Sequence, residues 1–400
     1  MTAYTYGTTV WRQANDGLNS DAEARIFLDA RDSTEYGVLR TYARIGYYRS
    51  SGGDDNSGSQ PRRGQWFTGT GGYANLQTGF SSSEAFIQLG GFLAGRTTSF
   101  AAAGLSATQF TTQNPSAGRV NQFAYTASLG NGMSLTAALE DAAELRNGLA
   151  RTATVGGAMA AGGQGPNNYP DVVASFDVAQ SWGTVKVAGV VHNVSPNGTH
   201  GPAGDKTGYA LMGATKINLP MLAAGDNIQL FGAYGVGASG RTIGNTATDT
   251  ANSVVVGGGA GQNLQGGNMS YGVGRTNGGL YDAVYTTDGA ISLTKSYSYG
   301  AQFQHFFSPT VSAYVGGTYG KLDIPGAHQN ATTLRDIAVM GVGLGVIWSP
   351  VKGLEINPEV AWRKATSSDV DNQSAQAIAE GSNRRSDTSW GYRLRVARSF

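Results

Sequence analysis

Apolar side chains recur at every second position in segment after segment, and this two-residue period sets the class of fold open to the chain. The segment from Trp390 to Phe400 states it most fully. One parity carries Trp390, Tyr392, Leu394, Val396, Arg398 and Phe400, and the other carries Gly391, Arg393, Arg395, Ala397 and Ser399. Successive side chains of a strand point to opposite faces, so one face is apolar with aromatics at both ends and the other is cationic. At about 3.3 Å per residue and a tilt of roughly 40°, such a strand climbs about 25 Å, the height of the apolar band of an outer-membrane barrel. The spacing places Trp390 and Tyr392 at one lipid–water interface, Phe400 at the other, and the arginines toward a wet lumen.

The same unit repeats as hairpins. Ala22, Ala24, Ile26, Leu28 and Ala30 alternate with Glu23, Arg25, Asp29 and Arg31, and after a short break Leu39, Thr41, Ala43, Ile45 and Tyr47 alternate with Arg40, Tyr42 and Arg44. Phe123–Leu129 and Met133–Leu139 flank Asn131-Gly132, a turn pair suited to a two-residue hairpin. Further pairs of runs meet at Trp182-Gly183, at Leu219–Gly225, at Ser308-Pro309 and at Pro350–Gly353. Trp348 and Trp362 lie on the apolar parity beside the last of these and join the expected interface aromatics.

Between hairpins lie long polar, Gly-rich stretches at about 50–82, 142–168, 237–293 and 366–386. Short turns on one rim and long loops on the other, with a first strand at Ala3–Trp11, predict an all-β fold. The expected form is a transmembrane antiparallel β-barrel of roughly sixteen strands with short periplasmic turns and long extracellular loops. Residues 1–400 are read as one barrel domain. A soluble sandwich accounts less well for the pattern. Its solvent parity is ordinarily rich in Lys and Glu, whereas here it carries Gly, Ser, Gln and Thr.

Composition narrows the choice. Only 14% of residues are charged, against about a quarter in soluble domains, and 60 glycines and 19 tyrosines favour turns, strands and interfaces. No apolar run reaches the roughly 18 residues of a membrane helix. The net charge of +1 gives no support for a nucleic-acid partner. The absence of Cys excludes disulfides and thiolate metal sites. His192, His200, His305 and His328 show no metal-ligand spacing, so no metal, cofactor or enzymatic activity is expected. Met1-Thr-Ala-Tyr4 has neither a basic start nor an apolar core, so an export leader is expected to be already removed or to lie outside these residues.

The stretches Asp29–Tyr42, Ala85–Phe100 and Tyr125–Asp141 together resemble the general porins of alphaproteobacteria, and Phe400 is similar to the terminal assembly signal of outer-membrane barrels. The resemblance covers most of the chain and is weakest in the long loops. It implies a homotrimer of sixteen-stranded barrels in the bacterial outer membrane, surrounded by its lipids. It further implies passage of small hydrophilic solutes and ions through a pore narrowed by an inward-folded third loop, here about 101–119. Two features depart from the family. Its members usually begin with a segment bearing two cysteines ahead of the first strand, and this chain has none, so the resemblance leaves closure of first strand on last open. Family constriction loops tend to be acidic, yet Ala101–Arg119 contains neither Asp nor Glu.

A pore discriminates by size and by the charges at its narrowest point. Parity sends Arg25, Arg40, Arg44, Arg96, Arg393 and Arg395 into the lumen as one basic wall once the barrel closes. Through Phe86–Ser99, Arg96 also matches the wall arginine that the resemblance implies beside the constriction loop. Glu84, Glu140, Asp171, Asp177, Glu355 and Glu359 are the lumen-facing acids, with Asp141 and Glu144 within reach; Glu23, Asp29 and Glu84 sit among the cations and are expected to pair with some of them. A basic wall opposite an acid-free loop predicts weak anion preference or near-neutrality. A substrate-specific channel with a saturable site and a non-conducting structural or adhesive barrel are the alternatives.

Overall fold

The computed structural model describes residues 2–11, 18–50, 77–104, 115–116, 118–151, 167–196, 204–243, 280–285, 290–325, 336–367 and 386–399. In chain order the strands are β1 (Thr2–Trp11), β2 (Leu18–Thr34), β3 (Gly37–Ser50), β4 (Gln77–Leu89), β5 (Phe92–Thr98), β6 (Arg119–Gly130) and β7 (Met133–Glu140). They continue with β8 (Leu149–Arg151), β9 (Asp171–Gln180), β10 (Gly183–Val194), β11 (Lys206–Asn218), β12 (Asn227–Val236), β13 (Ala283–Tyr285) and β14 (Ile291–Leu293). The last are β15 (Lys295–Ser308), β16 (Val311–Asp323), β17 (Ile337–Trp348), β18 (Leu354–Ser367) and β19 (Ser386–Ser399).

All but β8, β13 and β14 join in one closed antiparallel barrel, each pairing with its chain neighbours and β1 closing on β19. That makes sixteen strands, as the alternation predicts. Lipid offers no partner to a backbone N–H or C=O, and a closed ladder satisfies both without leaving an edge. The closure that the sequence leaves open is present. β1 pairs with β19 from Thr2↔Ser399 to Trp11↔Gly391, with one bulge between Tyr4 and Tyr6, and with β2 from Thr2↔Arg25 to Val10↔Leu18.

The turns follow local sequence. Asn131 (φ 49°) and Gly132 (φ 71°) both take the left-handed region that a two-residue hairpin requires. A Cβ on Gly132 would lie 2.0 Å from the Ala179 carbonyl oxygen, so only glycine fits there. Pro358 has no N–H to give, and the β17–β18 ladder skips from Gly345↔Glu359 to Trp348↔Ile356. The Asn357 amide donates to the Val346 carbonyl at 2.7 Å across this gap.

The outward parity is apolar and the inward one is not. Leu28, Ile87, Val172, Val187, Leu211, Leu344 and Leu394 are exposed, whereas their neighbours point inside. Tyr209, Tyr234, Tyr297, Tyr299 and Tyr319 form a contiguous outward row across β11, β12, β15 and β16 at the long-loop rim, with ring centroids 5.3–6.4 Å apart in the pairs Tyr209–Tyr234, Tyr297–Tyr319 and Tyr299–Tyr319. Trp348, Trp390 and Tyr392 are about half exposed on this parity, and Trp362 faces Trp390 across the β18–β19 ladder. Phe400 lies outside the described residues.

Two of the stretches read as plain loops carry structure. Residues 141–151 hold a 3-10 turn (Ala142–Glu144) and β8, and the connection from β12 to β15 holds a helical turn, α1 (Ser239–Thr242), with β13 and β14. β8 pairs parallel with β13, and β13 antiparallel with β14, so distant loops meet in one small sheet. Its few residues are too short and glycine-flanked for periodicity to reveal.

Two outcomes are expected. Val187 is 55% exposed halfway along β10, so Val187→Arg puts a cation against hydrocarbon and lowers unfolding stability by ~2–4 kcal/mol in urea titrations from lipid vesicles. In the β11–β12 turn, buried Asp226 accepts the Phe306 N–H at 2.7 Å and lies 2.6 Å from His305 Nδ1. Burial works against its charge, but the His305 contact and the Phe306 N–H prevail and hold its carboxyl below the usual range. This stabilisation is fully present above an ordinary carboxylate pKa of about 3.9 and is lost as pH falls through the lowered value. Amide exchange at Phe306 should therefore accelerate only in strong acid, and Asp226→Asn should abolish that pH step.

Candidate functional site

The inner wall divides into a covered half and a charged half, and side-chain size decides which is which. On β6, β7, β10, β11 and β12 the inward parity presents Ala124, Ala138, Ala188, Ala210 and Ala233, all buried. Small side chains leave room for chain to lie against the wall. The connection after β5 occupies that space: Ala101 and Ala103 pack into the same apolar cluster, with Phe100 and Phe86 against it. The segment returns on itself, with Ser99 N–H donating to the Gly118 carbonyl and Ala103 N–H to the Pro115 carbonyl. Residues 105–114 and 117 of the expected constriction loop lie outside the described residues.

Polar anchors hold this segment down. Glu140 on β7 accepts the Ser99 hydroxyl at 2.8 Å and the Phe100 N–H at 2.9 Å. Lys186 on β10 donates to the Phe100 carbonyl at 2.8 Å and pairs with Asp177 at 2.9 Å. The connection after β12 folds inward beside it. Arg241 of α1 is fully buried, with Nη1 2.7 Å from Glu140 and Nη2 2.6 Å from Asp171. Asp171 also meets His192 Nδ1 at 2.8 Å, and His192 Nε2 lies 3.6 Å from Asp282. Asp282 in turn accepts the Ser239 and Asn147 N–H groups, both at 2.7 Å. Above these, Leu149, Val194, Ala283, Tyr285 and Ile291 bury one another as the core of the small sheet.

These contacts correct two expected pore-lining acids. Glu140 and Asp171 have no accessible surface and face Arg241 and His192, not lumen water. Parity sends them inward as predicted, but folded loop covers them. Asp141 caps the 3-10 turn, accepting the Ala143 N–H at 3.0 Å and an Asn167 amide hydrogen at 2.9 Å, so it is held at the mouth.

On β18, β19, β2, β3 and β4 the inward parity is charged and aromatic. Arg393 lies 2.7 Å from Glu359, and Arg395 pairs with Glu355. Arg25 pairs with Glu23 on its own strand, and Arg40 meets Asp29 through two bonds of 2.9 Å. Glu84 accepts from Arg119 at 2.9 Å and lies 3.7 Å from Arg44. Phe27, Tyr42 and Phe86 stack between these groups, at 6.5 and 5.1 Å. The Arg40 guanidinium lies 5.1 Å from the Tyr42 ring centre and that of Arg44 5.7 Å from Phe27. The cations therefore sit in a ladder of pairs. Among the described residues, four guanidiniums of β2 and β3 (Arg25, Arg31, Arg40, Arg44) and Arg119 of β6 share three carboxylates (Glu23, Asp29, Glu84).

Arg96 is a further correction. Register pairs it with Ala85 and Asn121, the parity of outward Ala94 and Phe123, while Leu93 and Gly95 take the inner positions. Arg119, Lys186 and Arg241 were not foreseen. Arg241 left one trace: it is the single charged residue between Asp226 and Asp249. The row of inward alanines was equally legible and marks the wall that chain can cover.

Comparison with known proteins agrees with this architecture. Residues 4–391 match the family model described as the porin subfamily. No curated protein matches the sequence. Among solved structures, the outer membrane channel DcaP of Acinetobacter baumannii is similar in fold, with a TM-score of 0.61 at 15% identity over 99% of this chain and 95% of that one. The loop L8 deletion mutant of OmpT, an outer membrane protein of Vibrio cholerae, superposes with a TM-score of 0.50 at 8% identity, over 99% and 97% of the two chains.

If inward alanines make room for the loops, enlarging one must disturb both packing and pore. Ala210 is wholly buried, so Ala210→Leu should cost ~1–3 kcal/mol in unfolding titrations. The exposed Ala174→Leu on the outer parity of β9 should cost little.

Proposed function

The chain belongs to the porin subfamily, and from that membership we propose that it is a passive diffusion channel for small hydrophilic solutes and ions. The protein resides in the bacterial outer membrane. Membership of a channel-forming family also favours transport over catalysis, because a pore sorts solutes by size and field and forms no bonds.

The observation that carries the finer reading is the division of the lumen. Among the described residues, loops pack on the alanine half, and we read the wall around the β19–β1 seam and β2–β4 as the one that faces solvent. Arg25, Arg40, Arg44, Arg393 and Arg395 line that wall in our reading, with Glu84 as an acidic partner; Glu359, expected to line the pore, is buried against Arg393. Asp177 belongs to the Lys186 pair on the covered side. Among the described residues, five guanidiniums of β2, β3 and β6 sharing three carboxylates support a weak anion preference.

A homotrimer is part of the proposal, carried by the resemblance of Asp29–Tyr42, Ala85–Phe100 and Tyr125–Asp141 to alphaproteobacterial general porins. Exposed small residues on the outer parity of β2–β4 (Ala22, Ala24, Ala30, Thr41, Ala85) let a second copy approach closely. One observation favours a second reading, a channel with a saturable site. Phe27, Tyr42 and Phe86 put stacked rings between arginines on the solvent-facing wall. Solute-dependent block of the current distinguishes that from free diffusion.

Planar-bilayer recording in a salt gradient tests the main reading. Stepwise conductance with a reversal potential of modest anion preference is expected, and strong cation preference or absence of steps overturns it. Glu84→Gln removes the carboxylate shared by Arg44 and Arg119 and should move the reversal potential further toward the anion.

A further inference from the structure

The connection between β12 and β15 does more than fill space. Its one charged residue within the described part of α1, Arg241, stands where three pieces of chain meet. From the barrel wall come Glu140 of β7 at 2.7 Å and Asp171 of β9 at 2.6 Å. From the constriction segment comes Ser99, whose hydroxyl oxygen accepts from Arg241 Nη1 at 3.1 Å. From the returning limb comes the Ser116 hydroxyl, which donates to the Arg241 carbonyl at 3.3 Å. Both ends of the constriction segment are thus tied to one residue of a different loop.

The chemistry makes this link directional. A guanidinium is planar, permanently charged and carries donors in a fork, so it can serve two carboxylates and a hydroxyl at fixed angles; an ammonium cannot hold the same geometry. Glu140 completes a triangle, since it accepts from Arg241, from Ser99 and from the Phe100 N–H. All four side chains are buried or nearly so, which strengthens these bonds and leaves no water to replace them. α1 is itself fixed from behind, where Asp282 accepts the Ser239 N–H and Thr242 meets the Ser296 hydroxyl at 2.6 Å. His192 shares Asp171 and faces Asp282, so it buttresses the same corner.

We infer that Arg241 is the positioning residue of the constriction loop, and that two inward-folded loops, not one, set the aperture. Arg241 touches no permeating solute in this assignment. It acts through Ser99, Ser116 and Glu140 on where the loop lies.

The inference rests on the channel reading, and planar-bilayer recording of the full chain separates the two. Arg241→Met removes the side-chain ties to Ser99, Glu140 and Asp171 and keeps the Ser116 bond to the backbone carbonyl, so the Ser99 limb of the loop should loosen. Open-channel noise should rise several-fold, the single conductance level should split into substates, and the reversal potential should drift toward neutrality. Arg241→Lys should restore part of the wild-type trace, since charge returns without the fork. Ser99→Ala cuts the loop side alone while leaving the buried charges matched, so it decides the matter if the Arg241 variants fail to insert; it should give the same noise in milder form. Asp226→Asn, at the opposite rim, should leave the currents unchanged. Variants that insert as the wild type does and keep its conductance, noise and reversal potential overturn the inference alone. A silent wild-type protein overturns the channel reading and this inference with it.

Discussion

The closed hydrogen-bond ladder is the constraint on which everything else rests. In hydrocarbon each backbone polar group must be satisfied within the protein, and a sheet manages this only by closing on itself. Closure fixes which parity meets lipid and which meets the lumen, because a one-residue slip would exchange the two. The local irregularities respect this rule. At Pro358, where the ladder lacks a donor, the Asn357 side chain bonds to Val346 in its place. At Gly132 the turn takes dihedrals that keep register between β6 and β7.

Once the parities are fixed, the inner one is free to vary, and it varies by sector. Alanine on β6–β12 yields a floor for loops, whereas arginine, glutamate and aromatics on β18–β4 keep their own volume and repel dense packing. In the channel proposed above, field and aperture would fall to different parts of the wall, the charge ladder shaping the first and the loop layer with its buried ion pairs the second. Buried ion pairs seldom add much net stability, because desolvation offsets their attraction, but breaking one side costs about 3–5 kcal/mol. Such pairs specify a geometry more than they strengthen a fold, and that suits a loop whose position matters more than its adhesion.

Much of the barrel was legible in the sequence. The two-residue period names the strands, Asn131-Gly132 names a hairpin, and the alternation of short and long connections names the two rims. The lumen was legible only in part. Parity predicts direction, so Arg40, Arg44, Arg393 and Arg395 fall on the inner face, yet it cannot tell whether inner space is water or chain. Glu140 and Asp171 were misread for that reason. Parity and likeness both send Arg96 inward, whereas the observed register, with Leu93 and Gly95 inside, carries it to the other face. The loop layer escaped because its elements are three or four residues long and pair across more than a hundred residues, beyond the reach of any local period.

The seam between β19 and β1 carries a further consequence, for assembly. Arg393 and Arg395 stand on one side of it and Arg25 on the other, with Arg40 and Arg44 one strand further on. The charged wall is therefore contributed by segments some of the farthest apart along the chain. A partly formed sheet can hold the loop-covering half in full, since β6 to β12 are contiguous apart from loops, whereas the β2–β4 and β18–β19 portions of the charged wall stay apart until β1 pairs with β19. Contacts of such sequence separation form late because loop-closure entropy opposes them. The charged wall thus becomes continuous only in the completed ring, in the same step that removes the last open edge.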